Sequence, residues 1–278
     1  MTPVQHPGFT TGFVDAAGVR THYLEGGSGP TLVLMHGGGA GADGWGNWRS
    51  CLDAYARHFH VLVPDMPGFG RSAKPDPADY DYSQAERTRH LIAFLDARGV
   101  NKAHLIGNSM GGATVLGVAM TAPDRVGKLV LMGSAGLAIA NPNPGYIRTL
   151  VEYDYSLDGM RRIVAALAGP RFVIDEAVVA YRHALMQDEA ARKALKAIVA
   201  NKLTYDNDAI AAVRTPTLVV GGKRDEVAIL ARTYGYLELL ENSWGFILPY
   251  VGHWAMMEAP AEFLAVTTSF LADGMFER

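Results

Sequence analysis

Apolar positions in this chain fall into short unbroken runs separated by amphipathic stretches. Thr31-Leu32-Val33-Leu34-Met35, His60-Val61-Leu62-Val63-Pro64-Asp65 and His104-Leu105-Ile106 are such runs. So are Lys128 to Met132, Thr217-Leu218-Val219-Val220 and Gly245-Phe246-Ile247-Leu248. Apolar residues without polar alternation predict strands buried on both faces. Ahead of them, Phe13 to Val19 and Thr21 to Glu25 predict two strands joined at Gly18. Trp48 to His58 has helical spacing. Ser83 to Arg98 predicts an amphipathic helix, with Ser83 as N-cap, Glu86 three residues on and Gly99 as the stop. Pro260 to Ala272 predicts a closing helix. Alternating strand and helix implies an α/β fold, a mostly parallel central sheet flanked by helices and wound by right-handed crossovers. The rhythm breaks near Leu137, where Pro142, Pro144 and Gly145 punctuate the chain, and it returns only after Asp208. Residues 137–208 are therefore expected to form a helical insertion, and 1–136 with 209–278 the core.

The chemistry begins at Gly107-Asn108-Ser109-Met110-Gly111-Gly112. A short apolar strand precedes it and a small-residue helix, Ala113 to Met120, follows. G-x-S-x-G between strand and helix puts a serine on a sharp turn, its Oγ exposed to a cleft. A serine hydroxyl is a weak nucleophile until a base takes its proton, and the base needs a third group to orient it. On such a turn the expected chain order is Ser, Asp, His. Asp225 follows the Val219-Val220 strand, and His253 follows Phe246 to Leu248. Both fall just past strand carboxyl ends, where open α/β sheets build their sites. Glu226 competes with Asp225 for the acid role. Acyl chemistry also needs donors aimed at a developing oxyanion. The backbone N–H of Met110 and one from His36-Gly37-Gly38-Gly39 are expected, Gly38 being the choice in that loop. His36 is read as shaping the loop.

Composition narrows the partners. The chain has 278 residues, 49% apolar and 19% charged, enough for one large domain with a sizeable core. A net charge of −3 and the lack of a basic run give no nucleic-acid patch. No apolar run is long enough to span a bilayer. Met1 to Thr11 has neither a basic nor an apolar leader region, and Cys51, expected in a helix, is the single cysteine. Those features lead to the expectation of a cytoplasmic protein acting on a small molecule. No spacing suggests a metal site, no cofactor is expected, and homo-oligomerisation is left open.

These motifs resemble the α/β-hydrolase fold throughout and, within it, the meta-cleavage-product hydrolases. That family comprises serine-type enzymes that hydrolyse a carbon–carbon bond in vinylogous 1,5-diketones from aromatic-ring degradation. The resemblance rests on His36-Gly37-Gly38-Gly39-Ala40-Gly41-Ala42 with Trp45 and Asn47, on Gly107 to Gly112, and on Gly252-His253-Trp254-Ala255. It implies that 137–208 is a lid. It implies that Asn47, Asn108, Arg182 and Trp254, with Gly39 beside them, hold the dienoate. Arg182 and the two asparagines are then expected to donate to its carboxylate and enolate oxygens. The chain departs from the family at Ala40, where proline is usual, and after Asp225, where a proline is often found. An apolar series in the insertion, Leu150, Val151, Tyr153, Tyr155, Ile163 and Phe172, suits either an acyl-side pocket or packing on the core. The expected activity is cleavage of a 2-hydroxy-6-oxo-hexa-2,4-dienoate. A carboxylesterase or lactonase with the same triad is the alternative, and a non-catalytic receptor a more distant one. Aspartate-nucleophile dehalogenases and epoxide hydrolases are disfavoured by serine at 109.

Overall fold

A computed structural model describes residues 5–272. The first part of Met1–Thr11 and the outer ends of the two core segments lie outside the described residues. The chain opens with strands β1 (Phe9–Ala16), β2 (Val19–Gly26) and β3 (Thr31–Met35). Two short helices, α1 (Gly44–Trp48) and α2 (Leu52–Tyr55), lead to β4 (His60–Pro64). Then come α3 (Gln84–Ala97), β5 (Ala103–Asn108), α4 (Met110–Thr121) and β6 (Val126–Met132). Between β6 and the next strand the chain is helical. It contains α5 (Pro144–Val151), α6 (Leu157–Leu167), α7 (Glu176–Leu185), α8 (Glu189–Ala200) and α9 (Asn207–Ala211). β7 (Thr217–Gly222), α10 (Leu230–Leu239), β8 (Ser243–Leu248), α11 (Ala255–Glu258) and α12 (Pro260–Leu271) complete it.

The strands form one sheet in the order β1-β2-β4-β3-β5-β6-β7-β8. β1–β2 and β2–β4 pair antiparallel, and every later pair is parallel. The continuous apolar runs have the reason inferred from sequence. Leu32 and Leu34 enter one core layer, Val33 and Met35 the other. Leu129 and Leu131 are divided from Val130 and Met132 in the same way. Successive residues of a strand point to opposite faces, so a strand covered on both sides must be apolar at every position. β8, at the edge of the sheet, is mostly half-buried.

Some elements differ from expectation. Trp48 to His58 is not one helix. Asp43 caps α1 by accepting from the Gly46 N–H, which starts the helix earlier, and the chain tightens through Cys51 N–H to Trp48 O before α2 begins. Cys51 sits in that turn, buried. The β1–β2 turn uses Ala17 as well as Gly18, at φ of 55° and 82°. The Ser83 cap, with its hydroxyl accepting from Glu86 N–H at 3.2 Å, is as expected. No helix among the described residues is long and apolar enough to cross a membrane.

Parallel pairing brings the carboxyl ends of β3, β5, β7 and β8 to one rim of the sheet. Close packing of α4 on β5 and β3 fixes that rim. A Cβ on Gly107 would lie 2.5 Å from the Gly111 carbonyl carbon, and one on Gly111 would lie 2.5 Å from the Met35 oxygen. These neighbours are backbone and do not yield. Gly107→Ala should therefore destabilise the protein by about 1–3 kcal/mol or more, in urea unfolding. Gly145→Ala, in an exposed turn of α5, should be neutral or slightly stabilising. Equal effects of the two substitutions would rule out the tight contact.

Candidate active site

Ser109 stands at the junction of β5 and α4 with φ 56° and ψ −118°. A non-glycine residue there is strained by on the order of 1–3 kcal/mol, and the surroundings must hold it. They do so through β6 and the chain after it. Ser109 N–H donates to the Met132 carbonyl at 3.0 Å, and Ala135 N–H donates to the Ser109 carbonyl at 3.0 Å. The next residue, Met110, opens α4, so its N–H has no partner within the helix. Gly38 lies against the Met110 side chain: a Cβ there would meet Met110 Sδ at 2.6 Å. His36 holds this glycine loop from below. Met66 N–H donates to its Nε2 at 2.9 Å, so Nδ1 carries the proton and donates to the Gly37 carbonyl at 2.7 Å. Burial lowers its pKa, which keeps it neutral in that role.

The loops after β7 and β8 bring the acid and the imidazole together. Asp225 Oδ2 accepts from His253 Nδ1 at 2.8 Å. Its Oδ1 accepts from Val227 N–H at 2.8 Å and Ala228 N–H at 2.7 Å. Both oxygens are filled, both residues are buried, and Nε2 is left as the basic nitrogen. Glu226 takes no part in this contact; its main-chain carbonyl accepts from Asn141 Nδ2. The His253 loop is pinned on either side. Glu258 accepts from Gly252 N–H, Trp254 N–H and, from the helical segment, Gly169 N–H at 2.7 Å. His253 N–H itself donates to the Leu167 carbonyl at 2.8 Å. Sequence reasoning missed Glu258, because its partners are backbone groups that leave no residue pattern.

Ser109, Met110, Gly38, Gly39, Asn47, Asn108, Arg182, His253 and Trp254 all line one cavity of about 310 Å³. Arg182 reaches it from α7. Its Nη2 donates to the Ala40 carbonyl at 2.6 Å, and its guanidinium lies 5.2 Å from the Trp254 ring centre. It is 5% exposed, its Nε has no partner, and no carboxylate pairs with it among the described residues. Burial lowers its pKa to about 10, so it remains a cation at neutral pH. Asn47 Nδ2 is buried nearby without a partner. Asn108 differs from the donor expected of it. Its Nδ2 is occupied by the Met132 and His253 carbonyls at 3.2 and 3.3 Å, and only its Oδ1 is open. Asn108 thus offers an acceptor, suited to a hydroxyl rather than to an anion.

The helical segment supplies the apolar wall, including Ile147, Leu150, Val151, Leu195 and Ile198. Of the apolar series noted in the sequence, Leu150 and Val151 reach the cavity. Tyr153 and Ile163 belong to the core layer, Tyr155 packs on it, and Phe172 lines a separate surface hollow. No group of three His, Cys, Asp or Glu side chains among the described residues could hold a metal ion.

A profile of the α/β hydrolase fold matches residues 30–260. The chain is 45% identical over 266 residues to a 2-hydroxy-6-oxo-6-(2'-aminophenyl)hexa-2,4-dienoic acid hydrolase of Metapseudomonas resinovorans, covering 94% of this chain and 90% of the relative. It is 30% identical to a 2-hydroxy-6-oxo-6-phenylhexa-2,4-dienoate hydrolase of Burkholderia cepacia, covering 92% of each. A crystal structure of a serine hydrolase involved in carbazole degradation aligns with a TM-score of 0.87 at 45% identity, over 95% of this chain and 98% of that one.

One buried carboxylate beside the cavity is held above its ordinary pKa. Asp43 accepts from Gly46 N–H and from the Tyr181 hydroxyl, the residue before Arg182. Burial first, and the neighbouring Asp65 charge second, push Asp43 up to about 7. A group whose folded pKa is raised contributes stability that is complete below its unfolded value and lost as the pH rises through the folded one. For Asp43 that window runs from 3.8 to about 7. Asparagine keeps the helix cap and removes the titration. Asp43→Asn should therefore gain stability over wild type at about pH 8, with that advantage shrinking as the pH falls and lost below about pH 4, read from urea midpoints. A difference that does not change with pH would exclude a titrating Asp43.

Proposed function

The chain belongs to the α/β-hydrolase family, in its meta-cleavage-product branch, and we propose how its residues perform that chemistry. The substrate is a 2-hydroxy-6-oxo-hexa-2,4-dienoate, and water cleaves the carbon–carbon bond next to its 6-oxo carbon. One observation carries the assignment: Arg182 is a buried cation with no carboxylate in ion-pair contact among the described residues, in the same cavity as Ser109 and His253. A buried charge with no ion-pair partner in contact is expensive; the Asp43 carboxylate acts on Arg182 only at a distance, and a substrate carboxylate in contact offsets the remaining cost. A neutral ester does not.

In this reading Arg182 and Asn47 bind the carboxylate and its neighbouring oxygen, with Gly39 beside them and Trp254 under the guanidinium. Asn108 accepts from the 2-hydroxyl while the dienol is intact. The departing carbon leaves with an electron pair, so the dienol first becomes a ketone, which can receive that pair. His253 takes the Ser109 proton, oriented and stabilised by Asp225. Ser109 adds to the 6-oxo carbon, and the N–H groups of Gly38 and Met110 stabilise the oxyanion. Bond cleavage returns a proton to the dienoate fragment. Water, activated by His253, then releases the second acid and restores Ser109. Residues 137–208 act as a lid whose apolar wall contacts the acyl side. A cytoplasmic location accords with the single buried Cys51, whose thiol burial pushes up to about 12 and leaves unreactive.

Stopped-flow spectroscopy of Ser109→Ala tests the assignment. The variant should bind the yellow dienoate and shift its visible absorption, because the carboxylate site and ketonisation precede nucleophilic attack. It should release neither acid product, with kcat down by on the order of 10⁶. An unperturbed substrate spectrum at saturating enzyme would favour the esterase alternative.

Arg182→Met should lower kcat/KM on dienoates more than on p-nitrophenyl esters. The lost charge-assisted bonds are worth about 1.5–3 kcal/mol. Equal losses on both substrates would make Arg182 a packing residue only.

A further inference from the structure

The cavity contains a second arginine that none of the chemistry above employs. Arg232, in the first turn of α10, lines it together with Leu137, Val227 and Ala228. Its Nε is buried without a partner, and its Nη2 reaches only the Ile139 carbonyl at 3.5 Å, the outer limit of a hydrogen bond. Asp225 is close enough to be felt electrostatically, yet both its oxygens are filled by Val227, Ala228 and His253. The triad acid therefore does not require this guanidinium.

The position is unfavourable for a cation in a further way. The first turn of a helix is its positive end, and the first turn of α10 carries no acid. An arginine that is partly desolvated, poorly hydrogen-bonded and set against a helix dipole has no ion-pair partner among the described residues. Its surroundings are also distinct from those of Arg182. Arg182 contacts Ala40 and Trp254, whereas Arg232 contacts Ile139. With the dienoate carboxylate at Arg182 and the 6-oxo carbon at Ser109, the acyl substituent extends into the rest of the lining, which is mostly apolar, with Asn201 and Thr204 as neutral polar residues and Arg232 as its charged group.

We propose that Arg232 forms a subsite for an acceptor oxygen, a hydroxyl or a carboxylate, on the acyl substituent of the dienoate. The proposal deepens the functional reading above and rests on it. A guanidinium has donors only, so it discriminates in favour of oxygen acceptors and against an amine, which presents mainly N–H donors. In this respect the chain's preference differs from the aminophenyl compound after which the Metapseudomonas resinovorans relative is described.

The test measures kcat/KM for wild type, Arg232→Met and Arg232→Lys on dienoates with 2-hydroxyphenyl, carboxyethyl, 2-aminophenyl and phenyl groups at the 6-position. Wild type should prefer one of the two oxygen-bearing compounds over phenyl, and the favoured arm identifies hydroxyl or carboxylate. In Arg232→Met the ratio of that compound to phenyl should fall by about ten- to a hundredfold, the effect of a charge-assisted hydrogen bond. Lysine should restore part of it. An equal fall on both compounds overturns the subsite and makes Arg232 a support for Asp225. Turnover of the phenyl dienoate with no oxygen preference in wild type overturns the subsite alone, even if a variant fails to fold. Failure of wild type on every dienoate overturns the functional reading with it.

Discussion

The backbone strain at Ser109 is the constraint on which the rest of the site depends. A serine at positive φ is a high-energy conformation, and it persists because its neighbours leave no alternative. Gly107 and Gly111 let α4 press against β5 and β3 at distances that a side chain would forbid. The Met132 carbonyl and the Ala135 N–H then take up the serine's own backbone groups. Ser109 is therefore positioned by the sheet rather than by a flexible loop. The same junction presents the Met110 N–H at the start of a helix, where no intrahelical acceptor exists. One packing arrangement thus supplies both the exposed hydroxyl and a free donor beside it.

Much of this was legible because the signals are local and tied to backbone geometry. Continuous apolar runs marked the parallel strands, since those runs are buried on both faces. The Ser83 cap and the glycines around Ser109 marked turns where only certain residues fit. Trp48 to His58 misled for an instructive reason. Trp48, Cys51, Leu52 and Tyr55 are all fully buried, so the spacing reported burial correctly. It did not report that the backbone between Trp48 and Leu52 tightens into a turn. The Tyr153 and Ile163 contacts were equally hidden, because an apolar stripe on an inserted helix does not state which neighbour it faces.

Polar roles were harder to read than polar residues. Asn108 stands beside the serine and lines the cavity, but two main-chain carbonyls consume its amide hydrogens. Whether an asparagine donates or accepts is settled by partners distant in sequence, and here one of them lies 145 residues away. Arg182 is the opposite case. Its charge was plain in the sequence, and only burial made it significant. An exposed arginine on α7 would be solvated and nearly neutral in energy. Shut against Ala40 and Trp254, it becomes a standing demand for an anion.

Glu258 joins parts of the chain that the fold keeps separate. One carboxylate accepts from the residues flanking His253 and from Gly169, at the far end of α6. The His253 loop and the helical segment over the cavity therefore share a single latch. The placement of the His253 loop and that of the chain after α6 are thereby set by the same side chain. Losing that one carboxylate would free the backbone on both sides of the cavity at once.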